Sequence, residues 1–183
     1  RISVINPQTL TVETVKDIKV PESLEGASSS QLLNIKGFSA IAYNSLRDQY
    51  VLRIRSSHNY LLVDASFSPV KYVAVSKYNS DLNQGIDADA DYIYDVQSKA
   101  GSYNTVTVYD WDGEYQYKVK IPVKYEMESL YHSGDKFYAG VYHSYYQTYY
   151  TTHYKTYKVK WKKVKVKWKK VKGKWKYKKV WKY

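Results

Sequence analysis

Few side chains in this 183-residue chain are spaced for catalysis. Its four histidines, His58, His132, His143 and His153, form no metal-binding pair, and there is no GxSxG, HExxH or P-loop. Ser56-Ser57-His58-Asn59 reads as a polar turn between strands. Glu126 and Glu128 fall on one face of a strand, as paired acids would, but spacing alone does not make them a catalytic pair. Asp87, Asp89 and Asp91 alternate like the first half of a calcium loop. That loop needs Gly at its sixth place and Glu at its twelfth, where this chain has Tyr92 and Ser98. With no Cys, a disulfide framework and a Cys-ligated zinc site are both excluded. No catalytic residue, metal site or cofactor is assigned, and a binding role is expected over an enzymatic one.

The residue types with an obvious use lie at the end of the chain. Residues 158–183, KVKWKKVKVKWKKVKGKWKYKKVWKY, hold 14 of the 29 Lys and Arg and four of the five Trp, with no acid. Removing those 14 charges from the formal net of +12 leaves residues 1–157 at −2, so the basic character belongs to the tail alone. Trp161, Trp168 and Trp175 are spaced by seven, with Val164 and Val171 between them. On a helix this is a stripe of Trp and Val surrounded by Lys. As a strand, the same residues alternate locally, with the doubled Lys162-Lys163 shifting the register. The pattern admits helix, strand or a disordered segment.

Lysine with regularly spaced Trp is the composition of interfacial segments, because Lys is drawn to anionic lipid and the Trp ring prefers the headgroup zone. Each Lys near such a surface contributes about 1 kcal/mol, so half of the tail's lysines would give on the order of 7 kcal/mol. The expected binding residues are Trp161, Lys162, Lys163, Lys165, Lys167, Trp168, Lys169, Lys170, Trp175 and Trp181, and the expected partner is an anionic cell-wall polymer or membrane surface. Nucleic acid is the rival partner, since Lys neutralises phosphate and aromatics stack on bases. Against it, the tail has no Arg, the side chain that recognises phosphates and bases in two-pronged fashion. An extra β-strand for the body, with Lys outside, is a third reading.

The body that carries this tail reads as all-β. Tyr is unusually abundant at 23 residues, many on alternating positions that suit half-buried strands. A hairpin turning at Asn6-Pro7-Gln8-Thr9 is matched about a hundred residues later by Thr105 to Pro122, turning at Asp110-Trp111-Asp112-Gly113. Further hairpins are expected at Phe38 to Ile54, at Tyr60 to Val75, and from Asp91 across to Tyr109. Met127 to Tyr142 then forms the last. No helix is expected. Comparing hairpins near residues 2, 60 and 106 gives a spacing near 50, the size of a four-stranded propeller blade. The expectation is a partial β-propeller of two to three blades over 1–142, with an open sheet or sandwich as the alternative. Such a ring needs four to eight blades, completed by a longer chain or between chains. The strand-like start at Arg1 favours the C-terminal part of something longer. Residues 143–157 read as a Tyr/Thr-rich linker, and 158–183 as the Lys/Trp-rich tail.

Together, GIDADADYIYDV (85–96), NTVTVYDWDGEY (104–115), EMESLYH (126–132), FYAGVYH (137–143) and the Lys/Trp/Tyr-rich end resemble the C-terminal part of helveticin J-like proteins, the large class III bacteriocins of lactobacilli. The resemblance implies a secreted, surface-acting protein that kills related bacteria at their envelope, with no catalytic residues to carry over. A non-lethal surface-attachment protein and a carbohydrate-active propeller enzyme are the alternatives.

Overall fold

The computed structural model describes residues 1–78, 81–99, 101–142 and 162–182, with the backbone alone for 162–164 and 181–182. It divides into two compact units, residues 1–144 and 145–183. The first begins with a hairpin, β1 (Ile2–Ile5) and β2 (Val12–Lys16). A five-residue helix, α1 (Ser29–Leu33), follows and corrects the expectation of no helix. Its start is set by a capping box: the Ser28 hydroxyl accepts from the Gln31 backbone N–H, and the Gln31 side chain accepts from the Ser28 N–H. Among the described residues, no helix is long and apolar enough to cross a membrane.

Two four-stranded antiparallel sheets come next, each with its strands side by side in chain order. The first holds β3 (Phe38–Asn44), β4 (Gln49–Ile54), β5 (Tyr60–Asp64) and β6 (Pro69–Val73). The second holds β7 (Leu82–Ala88), β8 (Tyr92–Lys99), β9 (Tyr103–Asp110) and β10 (Tyr115–Ile121). A two-stranded sheet, β11 (Glu126–Ser133) and β12 (Lys136–Tyr142), ends the unit. Strands β3, β7 and β11 begin at residues 38, 82 and 126, so the repeat is 44 residues rather than the expected 50 or so.

These three first strands lie side by side, β3 next to β7 and β7 next to β11. Gly85 makes the second approach possible: a Cβ there would sit 2.7 Å from the Ser129 Cα. The apolar residues of successive sheets then meet in three layers. Leu32, Leu52, Ile54, Leu61, Val63 and Tyr72 form the first, with Ile2, Ile18 and Phe38 against them. Between the two large sheets, Val51, Tyr60, Leu62 and Val73 face Ile86, Ile93, Tyr109 and Trp111. On the far side of the second sheet, Tyr94, Val96, Val106 and Val108 pack on Met127 and Leu130.

Asx caps hold the hairpin turns. The side-chain oxygen of Asn44 accepts from the N–H groups of Leu46 and Arg47, that of Asp64 from Ser66 and Ser68, and that of Asp110 from Asp112 and Glu114. Asn6 and Asp89 do the same for their turns. Each cap satisfies turn N–H groups that the sheet ladder leaves free.

The second unit is a hairpin of β13 (Lys162–Val171) and β14 (Lys174–Lys182). It turns at Lys172-Gly173, with φ of 48° and 76°. Two consecutive positive φ values in a two-residue loop are the primed turn that matches strand twist, and Gly173 takes its share without strain. The tail thus pairs with itself.

Candidate functional site

Register and a single bulge decide what the tail hairpin presents. Lys165 lies opposite Lys179, Val166 opposite Lys178, and Lys167 opposite Tyr177. The register then slips by one between Lys167 and Lys169, so that Lys169 faces Lys176 and Lys170 faces Trp175. The sequence placed this slip at Lys162-Lys163, whereas the extra residue is Trp168. A bulge puts neighbouring side chains on one side of the strand. Trp168 therefore shares a face with Val166, Lys169 and Lys178, and Trp175 shares the other with Lys167, Lys170 and Tyr177.

Trp168, Trp175 and Tyr177 are each about half exposed. Lysines lie over the rings: Lys169 Nζ is 4.5 Å from the Trp168 ring centre, Lys178 Nζ 5.7 Å, and Lys167 Nζ 5.4 Å from that of Trp175. Such exposed contacts contribute about 0.5–1 kcal/mol each. Opposing them, Lys165 and Lys179, and Lys169 and Lys176, stand directly across the sheet, where like charges repel. An anion that threads between the lysines removes that repulsion. Of the residues expected to bind, Lys165, Lys167, Trp168, Lys169, Lys170 and Trp175 are thus brought together on one hairpin. Lys162, Lys163 and Trp181 are placed there by backbone only, and Trp161 lies outside the described residues, as does the 143–157 linker.

Three of the acids weighed for catalysis, Glu126, Asp87 and Asp89, are bound into the fold. Glu126 accepts from the Gln84 side chain, and Asp87 from the His132 backbone N–H. Asp89 accepts from the N–H groups of Asp91 and Tyr92 and from the Tyr94 hydroxyl. Burial opposes the charge on Asp89, yet these hydrogen bonds, with His132 nearby, hold its carboxyl below the ordinary value. Glu128 is exposed, beside a register shift between Met127 and Ser129. Among the described residues, no three metal-binding side chains group together.

Sequence reading missed two clefts in the body. One, of about 360 Å³, is lined by Glu25, Arg47, Lys71, Asp91, Asp110, Trp111 and Asp112. Its groups are already engaged: Arg47 lies 4.6 Å over the Trp111 ring, and Lys71 Nζ is 2.6 Å from Asp112 Oδ1. The other, of about 560 Å³, is lined by Arg55, Ser56, Ser57, His58, Asn59, Val75, Tyr78 and Asn83. The His58 ring stacks on the exposed Tyr78 at 4.3 Å, and Asn83 Nδ2 lies 3.0 Å from His58 Nδ1. Among the described residues, Asn83 Oδ1 is buried with no hydrogen-bond partner. A buried acceptor beside an exposed aromatic, hydroxyls and a cation suits a polar ligand with hydroxyls of its own. Only Ser56 to Asn59 caught the eye in the sequence, because Tyr78 and Asn83 are joined to them by the fold.

No protein-family model matches the sequence, and no curated protein is significantly similar to it.

Proposed function

We propose that this chain is a secreted antibacterial protein of the bacteriocin type, which binds the anionic envelope of target bacteria through its Lys/Trp hairpin. One observation carries the reading: 14 lysines and four Trp, with no acid, are concentrated in a tail whose described part is one hairpin, while the rest of the chain is near neutral. Teichoic acids and anionic lipids are the polymers and surfaces that such a hairpin would hold by charge and by ring insertion. Those contacts carry little selectivity. Selectivity falls to the body, where the cleft at His58 offers hydrogen bonds and a Tyr78 ring to a glycan.

The body is proposed to be part of a β-propeller. Three first strands side by side, a 44-residue period and apolar layers between successive sheets support that reading over an open sheet or sandwich. Deleting 158–183 should abolish binding to anionic vesicles and to purified Gram-positive walls. Retained binding would overturn the proposal. Killing of a sensitive lactic-acid bacterium by the purified protein separates it from a non-lethal attachment protein, which would bind and leave the cells alive.

A further inference from the structure

The bulge at Trp168 sorts the lysines and rings of the tail hairpin between its two faces. On β14 the alternation is plain: Trp175, Tyr177 and Lys179 lie on one face, and Lys174, Lys176 and Lys178 on the other. Opposite the first set on β13 stand Lys170, Lys167 and Lys165. Lys165 and Lys167 are two positions apart, whereas Lys170 follows Lys167 on that face because the extra residue lies between them. Unbroken alternation would have put Lys169 there and turned Lys170 away. One face thus carries a continuous row of lysines on β13 beside Trp175 and Tyr177 on β14. The four lysines of that face are exposed, and both rings are about half exposed.

Residues on one face of a strand recur about every 6.8 Å. The phosphates of an extended nucleic acid strand recur at a similar step, each with a base to one side. A lysine row and an aromatic row that share this step are the complement of such a strand, ammonium against phosphate and ring against base. Lys167 Nζ is 5.4 Å from the Trp175 ring centre, so a base stacked on that indole lies beside a cation. The opposite face lacks the pairing. Its lysines on β14 stand across from Val171, Lys169 and Val166, and Trp168 is its one ring among the described side chains.

We propose that the Trp175 face of the hairpin binds single-stranded nucleic acid, with Lys165, Lys167 and Lys170 on successive phosphates and Trp175 and Tyr177 stacked on bases. This is a second activity, independent of the envelope reading, because a lipid surface or a wall polymer offers charge but no flat aromatic ring. Unpaired bases are required, since a duplex hides their faces in its own stack. The tail has no Arg to grip guanine with two prongs, so the face reads no sequence and holds any base by its ring.

Fluorescence anisotropy of the full chain with a labelled oligothymidylate of about 15 nucleotides tests this, beside an oligocytidylate and an abasic strand of equal length. The abasic strand keeps the phosphates and removes the bases. Both base-bearing strands should bind alike, and the abasic strand about tenfold or more weakly. Trp175→Leu with Tyr177→Leu, which leaves the charge unchanged, should lose the same factor, while Trp175→Phe with Tyr177→Phe should largely retain binding and Trp168→Leu should leave it as it was. Lys165→Gln with Lys167→Gln should reduce the slope of log affinity against log salt by about 1.4, and Lys174→Gln with Lys176→Gln, the same charge taken from the other face, by less than half of that. Equal affinity for the abasic strand overturns the proposal and leaves a site for polyanions in general, a wall polymer among them. Undiminished binding by the Leu pair, or equal effects of the two lysine pairs, also overturns it. Vesicle binding is measured on the same proteins. A chain that holds vesicles but no oligothymidylate sinks this proposal alone, and one that holds oligothymidylate but no vesicles sinks the envelope reading alone.

Discussion

Arg53 on β4 and Asp95 on β8 form an ion pair of 2.6 Å that joins the two large sheets, and both side chains are about 1–2% exposed. Tyr60 donates its hydroxyl to the second Asp95 oxygen at 2.7 Å, while Arg53 also donates to Ser39 Oγ and to the Gln84 carbonyl. Burial pushes the Asp95 carboxyl above its ordinary value, against the pull of Arg53 and Tyr60. Arg53→Met leaves that carboxylate buried without its cation and should cost about 3–5 kcal/mol. Adding Asp95→Leu to the same variant should recover part of the loss. Urea unfolding of the three proteins checks both, and an Arg53→Met variant as stable as wild type would show that the pair does not hold the sheets together.

Acid should weaken the turn after β5. The Ser66 hydroxyl, with the Ser68 and Ser66 N–H groups, holds the Asp64 carboxyl below its ordinary value. A depressed carboxylate contributes stability that is present above the unfolded value of about 3.9 and lost as pH falls through the lower folded one. Asp64→Asn keeps an acceptor but no charge. It should be less stable than wild type at pH 7, with the gap closing toward pH 2. Thermal melts across that range would contradict this if the gap stayed constant.

Gly85→Ala tests the close approach of β7 to β11, where a Cβ would meet backbone rather than a yielding side chain. The strands must separate, at about 1–3 kcal/mol. Faster hydrogen exchange in β11 and β7 than in β4 is the expected signature.

The tail hairpin should tighten when its lysines are neutralised. Lys172→Asn puts the preferred Asn-Gly pair in its turn and raises hairpin content, at the cost of one charge among 14. Adding anionic vesicles to wild type should raise the same strand signal by circular dichroism, and rising salt should release the protein again. A signal indifferent to both would separate folding of the hairpin from anion binding.

Most hairpins of the body were legible because their sequences alternate and their turns carry Asn, Asp and Gly, as at Asn6, Asp64 and Asp110. Strand β7 was not: Leu82 to Ala88 mixes Asn, Gln, Gly and Asp, and its place between β3, β8 and β11 comes from packing. The helix was too short for any period, and Ser28 with Gln31 was its one local sign. In the tail, the Lys and Trp positions were plain, but a seven-residue repeat fits helix and strand alike. Lys172-Gly173 decided for the hairpin. Arg53, a charge inside the apolar run YVLRI, was not singled out, because the acid that pairs with it lies 42 residues away.

Across a two-residue turn, a spacing of seven would by itself bring Trp168 and Trp175 to one face. The bulge at Trp168 undoes that, and the two indoles end on opposite faces of the hairpin, each set among lysines. A ribbon built this way has no dry side to lay down and no wet side to turn away. It can sit between two anionic surfaces and hold both, so clustering of vesicles, seen as turbidity, should accompany binding, and Trp168→Lys should reduce the clustering more than the binding.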